Sequence, residues 1–179
     1  MDLKLKTISK DGIAEALSKV ELYRYLNEPE EAESICNDIL AADPENQIAQ
    51  RLLGLTITDQ FEGQTSDRYA EAEKMFQNLS DPYERLYYLG LLQERRAKTQ
   101  MRAGRPARML IGSFQEAMRC FEEAEKIRPP HNDDAVLRWN RCVRLLEKIG
   151  QVEGESPESF LEDHDTAPVE LMRRAGGRK

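Results

Sequence analysis

Little in this chain signals covalent chemistry. It has only two histidines, three cysteines and one tryptophan. His131 lies beside Asp133 and Asp134, and His164 lies between Asp163 and Asp165. Either cluster would need a single loop or tail to supply every metal ligand, so no metal site is expected. No G-x-S-x-G, P-loop, H-E-x-x-H or paired-cysteine motif occurs. No enzyme activity and no cofactor are expected. Cys36, Cys120 and Cys142 are odd in number and lack metal-ligand spacing. Each falls at a core-facing helical position, as expected of reduced packing cysteines in a cytoplasmic protein. No apolar run approaches the ~18 residues that span a bilayer. The first ten residues show no apolar core and no small-residue cleavage site, so no secretory signal is expected. The net charge of −7 argues against wholesale nucleic-acid binding.

What the chain does have is one spacing that recurs. Ala32-x3-Cys36-x2-Ile39-x4-Pro44 is matched by Ala117-x3-Phe121-x2-Ala124-x4-Pro129, with a shorter copy at Ala72-x3-Phe76-x2-Leu79-x2-Pro82. Each run places its residues on one stripe of a helix, and the proline closes that helix in the following loop. A second helical segment lies upstream of each copy. Val20 and Gly54 are 34 residues apart, and Gly54 and Gly90 are 36 apart. A period near this length marks stacked helix pairs, because one pair cannot bury its apolar faces alone.

The turn chemistry supplies the boundaries. Helices are expected from Ser9 to about Leu26, from Pro29 to Ala42, from Gln47 to Gln60, and from a cap at Ser66 or Asp67 to Asn78. A long helix starts at Ser80-Asp81-Pro82 and meets no breaker before Gly104. It is expected to project about two turns past its neighbours. Another follows from Ala107 or Ser113 to Ile127, and a last one from Ala135 to Gly150. Residues 151–179 are read as a tail, acidic then basic and mostly flexible, with a marginal two-turn helix near Pro168.

These residues resemble the tetratricopeptide repeat, whose pattern is W-x2-L-G-x2-Y, then A-x3-F, then P. The first half appears as Val20-x2-Tyr23, as Leu53-Gly54-x2-Ile57, as Leu89-Gly90, and as Trp139-x2-Cys142-Val143-x2-Leu146. Val20 and Val143 stand where the family has glycine, and Lys19 where it has leucine. The resemblance spans residues 13–150. The second repeat carries about six extra residues around Phe61-Asp67, and the third about fifteen around Ala97-Gly112. It implies an all-α helix-pair solenoid of about three repeats plus a final single helix, filling residues 1–150.

The resemblance also implies a site. In the family the first helix of each pair lines a concave groove. In that register the groove presents Leu17, Glu21, Arg24 and Tyr25, then Arg51, Leu55 and Thr58, then Tyr87, Leu91 and Glu94, then Asn140 and Arg144. Tyr25, Arg51, Leu55, Tyr87, Leu91, Asn140 and Arg144 are the candidate partner-binding residues, since tyrosine and arginine anchor interfaces and leucine adds apolar area. The alternative is a face merely solvated, or filled by the tail. Chaperone-binding members grip C-terminal carboxylates with Lys, Asn and Arg. The matching positions here hold Leu17, Glu21, Leu52, Glu84 and Tyr88, which disfavours that clamp.

Charge is unevenly placed. Arg95, Arg96, Lys98, Arg102, Arg105 and Arg108 form a basic arm without an acid, while residues 153–165 hold six acids and no Lys or Arg. The arm reads as a solvated helix end, as a dock for the acidic segment or a partner's acidic surface, or as a nucleic-acid backbone contact. It has no aromatic residue for base stacking. The expected function is a non-catalytic scaffold or adaptor holding a protein or peptide in its groove. A dedicated chaperone for an apolar segment of one partner, or a regulator touching nucleic acid through the arm, is the alternative.

Overall fold

The structure is a computed structural model that describes residues 3–62 and 68–154, with side chains to Gly150. Among these residues it is all-helical: α1 (Ile13–Tyr25), α2 (Pro29–Ala42), α3 (Gln47–Asp59), α4 (Tyr69–Gln77), α5 (Pro82–Arg102), α6 (Ala107–Lys126) and α7 (Asp134–Gly154). A short 3-10 turn, Lys10–Gly12, precedes α1, and the Ser9 hydroxyl accepts from the Gly12 amide.

The helix ends follow the turn residues. Asn46 caps α3 by accepting from the Ala49 amide, and Asp81 caps α5 by accepting from the Glu84 amide, both at 3.0 Å. Prolines open α2 and α5, where a missing N–H costs nothing. Asn27 ends α1 in the left-handed region, and the Glu28 amide returns to the Tyr23 carbonyl at 2.9 Å. Gly104 ends α5 in the same way, and the Arg105 amide returns to the Gln100 carbonyl at 3.0 Å. These are two copies of one left-handed C-terminal stop.

Each helix packs on the next in sequence. The odd-numbered helices also meet: α1 touches α3, α3 touches α5, and α5 touches α7. Among the described residues no two even-numbered helices make a comparable contact. The odd helices therefore lie side by side, with the even ones behind them.

The recurrent stripe forms the core. Ala32, Cys36, Ile39, Ala72, Phe76, Leu79, Ala117, Phe121 and Ala124 are all buried. The large residue of the second and third stripes meets a glycine of the helix before it. A Cβ added at Gly54 would lie 2.5 Å from the Phe76 ring, and one at Gly90 would lie 2.8 Å from the Phe121 ring. The glycines let backbone and ring approach closely. The three cysteines are buried and free, as their helical positions implied. Burial pushes the Cys36 and Cys142 thiols up to about 12.

Two expectations are corrected. The end of α5 does not project alone. Ala97 is buried there with Leu110 and Phe114 of α6, which begins at Ala107 rather than Ser113. Gly150 does not end α7; the helix runs on to Gly154, past the expected boundary of the tail. A single glycine costs a helix only ~1 kcal/mol, so it need not stop one. The start of α4 follows Arg68, which makes no side-chain cap. The proposed caps Ser66 and Asp67 lie outside the described residues, as do His164, the remaining acidic segment and the helix near Pro168.

Candidate partner-binding face

The side-by-side odd helices carry the candidate residues, and the structure sorts them by depth. Tyr25, at the end of α1, is 88% exposed. Arg51 on α3 pairs with Glu84 on α5 at 2.5 Å. Tyr87 is half-buried, with its ring centroid 5.9 Å from Tyr83, 5.1 Å from Tyr88 and 5.9 Å from Phe121. That cluster holds the Tyr87 ring in place, since offset and edge-to-face pairs favour fixed geometry. Leu55 and Leu91 lie deeper, 9% and 3% exposed. They pack beneath the face and do not form its surface.

The two candidates on α7 point elsewhere. Asn140 lines a cleft of about 550 Å3 between α6 and α7, with Met118, Glu122 and Trp139. Arg144 is exposed one turn further along the same side of the helix. On α7 it is Arg138 that forms an ion pair with α5, its Nη1 lying 3.5 Å from Glu94 Oε2. Arg138 sits four residues before the buried Cys142, on the same helical face. That spacing was the available signal for it.

A chain of shared carboxylates crosses the odd helices. Asp59, closing α3, accepts from Arg24 Nε of α1 at 2.8 Å and from Arg95 Nη1 of α5. Arg95 Nη1 also donates to Thr58 Oγ1 at 2.6 Å and to the Leu55 carbonyl at 3.2 Å. Burial holds the Arg95 guanidinium below its usual value, against the pull of Asp59. Glu94 is fully buried. Its Oε1 accepts from Lys98 at 3.2 Å, while Oε2 makes no hydrogen bond and faces Arg138 at ion-pair distance. A buried carboxylate of this kind needs both cations, because an unpaired buried charge is strongly destabilising.

The basic arm is thus two surfaces. Arg95, Lys98 and Arg102 share the face turned to α3 and α7. Arg96 stacks over Tyr69 at 4.7 Å, and with Arg105 it lines a separate recess beside α6. Arg108 is exposed on α6.

Among the described residues no group of three or more His, Cys, Asp or Glu is placed to hold a metal ion. His131 is exposed in a left-handed turn before α7. No described helix is long and apolar enough to cross a membrane. No protein-family model, curated protein or solved structure matches this chain.

Proposed function

We propose that this chain is a tetratricopeptide-like array of three helix pairs plus a final helix, acting as a non-catalytic scaffold that holds a peptide or partner helix on its odd-helix face. One observation carries the reading: the odd helices abut in order and expose a rigid aromatic patch at Tyr87, flanked by the Arg51–Glu84 pair. A fixed tyrosine gives contact area at low entropic cost, which suits an anchor. The buried free thiols fit a reducing, cytoplasmic setting. A nucleic-acid regulator draws less support, because the arm is divided between two separate surfaces and carries no aromatic residue for base stacking.

The test begins with affinity capture of the tagged protein from its native lysate, followed by titration of the purified partner. Tyr87→Ala is expected to weaken binding by at least ~1–2 kcal/mol, since truncating an aromatic anchor removes most of its contact. Lys126→Ala, on the exposed end of α6, is expected to change little. Loss on Lys126→Ala with Tyr87→Ala unaffected would place the partner on the opposite side and end this reading.

A further inference from the structure

A polar pocket of about 250 Å3 opens where α3, α5 and α7 meet, lined by Thr58, Asp59, Arg95, Lys98, Arg102 and Arg138 among others. Its walls therefore hold four cations and one acid, in a protein whose net charge is −7. The two carboxylates at the pocket do not neutralise it. Asp59 is already shared between Arg95 and Arg24, and Glu94 between Lys98 and Arg138. Five cationic groups thus meet two anionic ones, and Arg102, exposed at the end of α5, makes no ion pair with a described residue. The surplus is concentrated on side chains already held in place. Arg95 is fixed by Asp59, Thr58 and the Leu55 carbonyl, and Lys98 and Arg138 by Glu94.

We infer that this pocket binds a dianionic phosphoryl group, and that it is the specificity element of the face on which a peptide is proposed to lie. A surplus exceeding one unit suits a dianion better than a single carboxylate. Guanidinium forks, the Lys98 ammonium and the Thr99 hydroxyl match tetrahedral oxygens with hydrogen-bond donors, while the Thr58 hydroxyl, which donates to the Leu55 carbonyl at 2.7 Å, serves to hold Arg95. One effect opposes it. The carbonyl ends of α3 and α5 lie at this edge and disfavour an anion by ~0.3–1 kcal/mol each. Arg95 offsets part of this by taking the Leu55 carbonyl. The pocket uses none of Leu17, Glu21, Leu52, Glu84 or Tyr88, the positions of the carboxylate clamp that the sequence disfavours.

The pocket is tested on the full chain by calorimetric titration with inorganic phosphate near pH 8, where phosphate is mostly dianionic. Chloride at matched ionic strength is the reference. Saturable binding above the reference is expected. Arg102→Ala is the informative variant, because Arg102 is exposed and its removal leaves the packing intact. It is expected to weaken phosphate about tenfold, the scale of one charge-assisted hydrogen bond. Arg108→Ala removes the same charge from outside the pocket and is expected to change affinity less than twofold. A phosphoserine peptide, its unphosphorylated form and free phosphoserine then separate the sources. Tighter binding of the phosphopeptide than of either other probe assigns a phosphorylated peptide, whereas equal binding of phosphopeptide and free phosphoserine assigns a small phosphomonoester. The inference is overturned by absence of phosphate binding above chloride, or by equal losses in Arg102→Ala and Arg108→Ala. The partner-binding reading fails separately: phosphate binding would persist while Tyr87→Ala left the captured partner unaffected.

Discussion

Two glycines in helix interiors should respond oppositely to one methyl group. At Gly90 an added Cβ would sit 2.8 and 2.9 Å from Phe121 ring carbons and 3.1 Å from the Ala117 carbonyl oxygen. The ring has nowhere to swing, since Phe121 is 1% exposed and lies 5.9 Å from Tyr87. Such overpacking costs ~1–3 kcal/mol, and the better helix propensity of alanine returns ~1 kcal/mol. Gly90→Ala should therefore destabilise by up to ~2 kcal/mol. At Gly112, inside α6, a Cβ would meet nothing within 4 Å. Gly112→Ala should stabilise by ~0.5–1 kcal/mol from propensity alone. Gly90→Leu forces three more carbons into the same contact and should cost more than Gly90→Ala. Urea unfolding of the two alanine variants reads the contrast, and thermal melts should separate by ~2–4 °C per kcal/mol. Adding Phe121→Leu should relieve part of the Gly90→Ala loss through a measurable coupling energy. The reasoning is refuted if both alanine substitutions stabilise alike, because the glycine–phenylalanine contact would then not exist.

Three further outcomes follow from burial and charge. Cys36, Cys120 and Cys142 should resist thiol-reactive dyes in the native protein at pH 8, with labelling appearing in step with unfolding; rapid native labelling would contradict their burial. The Arg68 hydrogen bonds hold the Glu33 carboxyl below its usual range, so this pair stabilises the fold above about pH 4.5 and the contribution fades as pH falls through the lowered folded-state value. Glu33→Gln should accordingly lose ~1 kcal/mol or less at pH 7, with the gap to the parent protein closing in acid melts. Phe76→Ala should cost ~3–5 kcal/mol, because its fully buried ring fills the space that Gly54 leaves; a loss under ~1 kcal/mol would mean the site collapses freely.

The sequence made the helices legible because their limits are local. Pro29, Asn46, Asp81 and Gly104 act within one turn of themselves, and the helix ends follow them closely. The stripe Ala117-Phe121-Ala124 was readable for the same reason: its period states which face is buried. Gly150 misled because a glycine stops a helix only when the chain beyond prefers another path. The face was harder to read. Register alone put Leu55, Leu91, Tyr87 and Asn140 on one surface, yet depth depends on how closely helices approach. Arg138, and Asp59 shared by two arginines, emerge only once residues more than thirty positions apart are brought together. No periodicity encodes which carboxylate two distant cations will share.

The placement of aromatic rings gives the molecule an optical signal of its own. Tyr83, Tyr87 and Tyr88 cluster on α5, while the sole tryptophan, Trp139, lies on α7 at its half-exposed surface. The Tyr83 hydroxyl holds Asn132, the residue that positions the start of α7, at 2.9 Å. Excited tyrosines near a tryptophan pass their energy to it, so light absorbed by α5 should emerge from α7. Undocking of the last helix would restore tyrosine emission and shift the indole spectrum to the red, while the other helices stayed folded. The final helix thus carries an intrinsic fluorophore pair that reports its own attachment without an added label.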